Sequence, residues 1–171
     1  MASLARLLLL AASLSLAGCG FHMRGSNPDE VKLAFNSLYL KAPGETPFVV
    51  SLRRALKTGK INLATSPDQA DLVFEIVSEL TTKQILSLNR FGRVQEYQLF
   101  YRVSLRAYDK NQNDWLSADE IRLSRILPYD DSLILAEQQQ ETMLYSEMRN
   151  DAVAQAVRRL YKARPATVSA Q

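Results

Sequence analysis

Cys19 is the only thiol and His22 the only imidazole among 171 residues. A thiol is nucleophilic and an imidazole is the usual base, yet His22 lies in a turn-prone stretch where no rigid shell orients it for proton transfer. The adjacent carboxylates Asp119-Glu120 and Asp130-Asp131 have the composition of an acid/base pair or a cation site. On a strand, however, Asp119 and Glu120 point to opposite faces, and Asp130-Asp131 has the composition of a helix cap. No GxSxG elbow, phosphate-binding glycine loop or HExxH helix occurs. The residues argue against an enzyme, and no catalytic or metal-ligating set is assigned. A different chemistry is open to Arg90 and Arg93, which flank Phe91 in one turn near Lys83. Guanidinium forks bind phosphate bidentately, so cations beside an aromatic at an exposed loop suit an amphiphile with anionic head groups. Arg102, Arg106 and Arg122, by contrast, read as charges on a solvated strand face.

What Cys19 does is set by what precedes it. Arg6, the apolar run from Leu7 to Leu16 and the small residues before Cys19 make an export leader. Leu16-Ala17-Gly18-Cys19 resembles the lipobox of bacterial lipoproteins, which implies cleavage after Gly18, a diacylglyceryl group on the Cys19 thiol and an acyl group on its freed amine. Each buried CH₂ contributes ~0.8 kcal/mol, and two chains suffice for stable attachment. The apolar run is too short to span a bilayer, which takes ~20 residues. Lipoproteins retained in the inner membrane typically carry Asp after the cysteine, so Gly20 resembles an outer-membrane address.

Loss of the leader would lower the formal net charge of +3 by the single unit of Arg6, to about +2. That balance is too mild to argue for nucleic acid. With Cys19 acylated there is no free thiol and no disulfide, so a periplasm-facing domain must be held by its core alone. No other cofactor is called for. The expected organisation is a signal peptide over 1–18, a lipidated tether over 19–28, one domain over 29–163 and a disordered tail over 164–171.

Within that domain, Leu38 and Leu40 alternate with polar neighbours as a first strand, closed by Pro43-Gly44. Thr46-Pro47 is an N-cap followed by proline at the first helical position, and Val49, Leu52, Ala55 and Leu56 recur at helical spacing up to a stop at Gly59. Ile61 and Leu63 give a short strand. Three long strands follow. Leu72, Phe74, Ile76 and Leu80 are expected on one face, with Glu75, Glu79 and Lys83 on the other. Tyr97, Leu99, Tyr101, Val103, Leu105 and Ala107 then alternate without a break, and Ile121, Leu123 and Leu127 do so opposite Glu120, Arg122 and Ser124. Asn89–Arg93 and Asp109–Asp114 are the turns of this meander. After Pro128 the period becomes helical: Asp130, Asp131 or Ser132 is expected to cap a helix to about Leu160, with Leu144, Met148, Val153, Ala156, Val157 and Leu160 as its apolar stripe. The fold class is α+β, two helices packed on one face of a mainly antiparallel four-stranded sheet.

Several segments carry a family resemblance. Cys19-Gly20-Phe21-His22-Met23-Arg24-Gly25 resembles the mature start of the LPS-assembly lipoprotein LptE (rare lipoprotein B) family. Glu96-Tyr97-Gln98 is similar to the same family, as are Tyr129-Asp130-Asp131-Ser132, Leu135-Ala136, Leu144–Arg149 and Arg158-Arg159-Leu160. The resemblance implies a two-layer α+β fold, residence in the outer membrane, and a plug inside the lumen of the LptD β-barrel, which it helps assemble. It also implies binding of lipopolysaccharide, through a basic residue in the turn before the Glu-Tyr-Gln strand; Arg90 matches that position and Arg93 lies close by. Many members carry a second basic residue just after Leu-Ala, early in the last helix, where this chain has Glu137. Two other readings remain open: a different outer-membrane lipoprotein adaptor of barrel assembly, and a periplasmic hydrolase of envelope lipids or glycans.

Overall fold

The computed structural model describes residues 33–165. The leader, Cys19, His22, the tether and the tail from 166 onward lie outside the described residues. Among the described residues no helix is long and apolar enough to cross a membrane.

The elements run β1 (Ser37–Lys41), α1 (Pro47–Thr58), β2 (Asn62–Leu63), a 3₁₀ turn (Pro67–Gln69), β3 (Leu72–Leu88), β4 (Val94–Asp109), β5 (Asp114–Pro128) and α2 (Ile134–Lys162). The sheet has five strands in the order β2-β1-β3-β4-β5 rather than four. β1 pairs in parallel with both β2 and β3, while β3, β4 and β5 form the antiparallel meander. The sheet is therefore mixed. A crossover through α1 returns the chain in the same direction, which permits the parallel pairing of β1 and β2. Two residues of β2 are too few for alternation to announce their place in the sheet.

Thr46 caps α1 as expected: its hydroxyl accepts from the Val49 amide at 3.3 Å, and Pro47 stands at the first helical position. Phe48, Val49, Leu52 and Leu56 form the buried face. The left-handed residue that ends the helix is Lys60, at φ 56°, and not Gly59, at φ −74°. Gly59 serves a different purpose. A Cβ there would lie 2.6 Å from the Tyr161 hydroxyl of α2, so glycine leaves room for that side chain to reach the end of α1.

β4 alternates inward and outward along its length, with Leu99, Tyr101, Val103, Leu105 and Ala107 all buried. β3 does not. Ile76 pairs with Leu105 and Ser78 with Ser104, so Val77 is an extra residue, a bulge. A bulge of one residue exchanges the two faces beyond it. Leu72, Phe74 and Ile76 are buried, but Leu80 is turned outward and half exposed, and Glu79 and Lys83 turn inward toward the helices. The Glu79 carboxylate accepts from the Tyr101 and Thr46 hydroxyls, and Lys83 pairs with Glu141 of α2 at 2.7 Å. Burial first, then the bond to Glu79, pushes the Tyr101 hydroxyl pKa far up.

Both helices cover the inner face. Met148, Ala152, Val153, Ala156 and Leu160 of α2 join α1 and the sheet in one core. Each fully buried Leu or Phe in it contributes roughly 1.5–3 kcal/mol. Asp119 and Arg125 of β5 reach inward to Arg159 and Asp151 of α2, whereas Glu120 and Arg122 pair on the outer face. The opposite orientation of Asp119 and Glu120 rules them out as a pair.

Candidate functional site

The β3–β4 hairpin, the end of β5 and the start of α2 converge at one end of the domain. Tyr129 donates its amide to Gln95, and Arg93 meets Asp131 at 3.4 Å, which ties the three segments together. The hairpin turn itself is held by Asn89. Its side-chain carbonyl accepts from the amides of Phe91 at 2.9 Å and Arg93 at 3.1 Å, an Asx-type turn, and Gly92 supplies the φ of 76° that the turn requires.

This scaffold sets the two expected site residues apart in role. Arg90 projects at the tip, with its guanidinium 4.8 Å from the centroid of the Phe91 ring, and makes no ion pair among the described residues. Arg93 is exposed too, but its charge is partly answered by Asp131. Lys83, grouped with them by sequence, is drawn away to Glu141 and sits 4.3 Å over the Tyr97 ring. Between the hairpin and the segment joining β5 to α2 lies a crevice of about 400 Å³ lined by Asn89, Arg93, Val94, Gln95, Tyr129, Asp130 and Asp131.

The start of α2 differs from the expected cap. Asp130 spends its carboxylate on the amide and hydroxyl of Ser132, which hold its pKa below the usual range, and the helix begins at Ile134 after Leu133, with no side-chain cap. Sequence periodicity gave no warning of the consequence. Leu133, Ile134 and Leu135 lie exposed in succession on this same end, which also exposes Phe91, at 73%, and the outward Leu88 and Ile126. Three consecutive apolar residues fit no single helix face, and that was the available signal. Glu137, where a basic residue was of interest, is buried. One carboxylate oxygen accepts from the Asp130 amide and the other has no partner, so the side chain serves the loop and cannot reach a ligand at the surface.

The chemistry of this end is thus a free guanidinium on an aromatic ring, a second guanidinium nearby, and an apolar fringe. It suits a ligand with anionic groups beside hydrocarbon. Among the described residues no cluster of three or more His, Cys, Asp or Glu side chains is placed to hold a metal ion.

Comparison with known proteins covers nearly the whole domain. Residues 34–160 match the family model described as LptE, lipopolysaccharide-assembly. The LPS-assembly lipoprotein LptE of Yersinia enterocolitica is 28% identical over 160 residues, spanning 90% of this chain and 73% of that one. The protein of the same name from Pectobacterium atrosepticum is 26% identical over 158 residues, 90% and 83% of the two chains. Among solved structures, the solution structure of an uncharacterized lipoprotein B from Nitrosomonas europaea superposes with a TM-score of 0.69 at 36% identity, covering 81% of this chain and 88% of that one. Rare lipoprotein B from Shewanella oneidensis shares the fold, with a TM-score of 0.65 at 22% identity over 72% and 92% of the two chains.

Proposed function

The chain belongs to the LptE family, whose work in lipopolysaccharide assembly is not enzymatic, and from that premise we propose that it is an outer-membrane lipoprotein that plugs and helps assemble an LptD-like β-barrel and binds lipopolysaccharide on its way to the outer leaflet. Cys19 carries the S-diacylglyceryl and N-acyl groups that hold it to the membrane. The domain enters the barrel lumen, and Arg90 with Arg93 meets the phosphates of lipid A or core sugar.

One observation carries the lipid-binding part: Arg90 stands without a carboxylate partner among the described residues, on Phe91, at an end fringed by Leu88 and Leu133–Leu135. An amphiphile with phosphates beside acyl chains presents the complementary pattern. Support for the plug comes from the sheet's outer face. It carries Arg102, Arg106, Glu120 and Arg122, with Arg106 paired to Asp114 at 3.5 Å, and the lumen of a large barrel is polar.

Cross-linking in intact outer membranes, followed by identification of the attached protein, tests the plug. The expected product contains a large barrel of the LptD type; a different barrel partner would reassign the chain to another assembly machine.

A further inference from the structure

The two helices run parallel. Thr46, at the start of α1, lies beside Glu79 and Tyr101, close to Arg149 of α2, and Gly59, at the end of α1, lies beside Tyr161 of α2. Their C-termini therefore share one end of the domain, opposite the hairpin tip. The described chain also begins there. Asn36 and Ser37 donate their amides to Asp71 at the start of β3, and Phe35 packs edge-on against Trp115 at the start of β5, with ring centroids 6.3 Å apart.

That end is basic. Lys57 and Lys60 leave α1, and Arg158 and Lys162 occupy the last turns of α2; all four are exposed and none is in an ion pair among the described residues. Their neighbours Arg53 and Arg159 already meet Glu45 and Asp119. Two helix macrodipoles place roughly half a negative charge each at this end, which suits a cation or two but leaves most of four unanswered.

We propose that this basic collar seats on an anionic phospholipid leaflet, as a second, electrostatic membrane contact beside the lipid on Cys19. The proposal rests on the reading of Cys19 as the anchor. Thirteen residues lie between Cys19 and Leu33, where the described chain begins, and at ~3.3–3.6 Å per step the connection spans at most about 50 Å. The described chain begins at the collar end, so the anchor's tether joins the domain there, with the hairpin tip at the opposite end. Cations near an anionic leaflet each strengthen partitioning by about fivefold, an effect confined within a Debye length.

The test uses residues 19–171 with Cys19→Ser, which removes the acyl chains, floated with vesicles of phosphatidylglycerol and phosphatidylethanolamine or of phosphatidylcholine alone. Binding is expected only to the anionic vesicles. It should weaken at raised salt, fall at least about tenfold in Lys57→Glu/Lys60→Glu/Arg158→Glu/Lys162→Glu, and persist in Arg90→Glu/Arg93→Glu. If the fourfold reversal fails to fold by circular dichroism, the corresponding Gln substitutions replace it. Equal binding to both vesicles, binding to neither, or indifference to the collar substitutions would overturn the proposal. The mass of the wild-type protein extracted from membranes reports acylation of Cys19 separately, so loss of the anchor reading and loss of the collar are distinguishable.

Discussion

The Tyr101 hydroxyl of β4 donates to the Glu79 carboxylate of β3, a pair that exists only because the Val77 bulge turns Glu79 inward. The same carboxylate takes the Thr46 hydroxyl, so one acidic side chain joins the sheet to the cap of α1. Tyr101 is 2% exposed, which makes its hydroxyl costly to leave unpaired.

Replacing Glu79 by Leu orphans that hydroxyl and should destabilise the domain by about 1–3 kcal/mol. Tyr101→Phe removes the same bond from the other side. Urea denaturation of both single variants and the double should give a coupling of roughly 0.5–3 kcal/mol. Simple additivity would show that the two groups do not act together.

Charge reversal at the hairpin tip should separate the two arginines. Arg90→Glu removes the cation that has no carboxylate partner among the described residues, and is expected to weaken lipopolysaccharide binding by about tenfold, as for loss of a charge-assisted bond. Arg93→Glu should cost less, because part of that charge is already met by Asp131. Isothermal titration with purified lipopolysaccharide reads both, and equal binding by wild type and the double variant would remove the tip from the mechanism.

Glu137 makes the opposite kind of prediction. Glu137→Lys, which restores a basic residue early in the last helix, should leave lipopolysaccharide affinity no higher. It should also lower stability by about 3 kcal/mol or more, because the Asp130 amide loses its acceptor and an unpaired charge is placed in a buried site. Thermal unfolding and titration of one preparation check both parts.

Asp71 gives stability a pH dependence. The Asn36 amide, and after it that of Ser37, holds the Asp71 carboxyl below the usual carboxylate range. A lowered folded-state pKa contributes stability that is present above the unfolded value, near ~3.9, and is lost as pH falls through the lower folded one. Melts of wild type and Asp71→Asn should therefore differ at neutral pH, with a gap that narrows only as pH falls from about 4 through the lower folded value. A gap unchanged down to about pH 2 would show that the carboxylate charge is not what matters.

Legibility followed the regularity of each element. β4 was plain in the sequence because six apolar residues alternate there without a break, and α1 because Thr46-Pro47 marks its start chemically. β3 misled at Leu80, Glu79 and Lys83, since the bulge at Val77 exchanges the faces as far as the next irregularity, at Leu86, and leaves no mark in composition. The four-strand count failed at Asn62–Leu63, where non-local parallel pairing decides membership. Arg90 and Arg93 were recognisable as residues of an exposed turn. Leu133–Leu135 showed in the sequence only as a run of three apolar residues, and their exposure followed from the helix start, because Asp130 turns its carboxylate on Ser132 instead of capping the helix.

The Asn89 carboxamide has one more consequence. Because it fixes the amides of Phe91 and Arg93 within the folded domain itself, the loop is ordered without any ligand. Ordering a residue costs ~1–2 kcal/mol of backbone entropy. Asn89→Gly would leave the arginines and the ring in place yet defer that cost to the encounter, so the tip would keep its chemistry and lose its readiness.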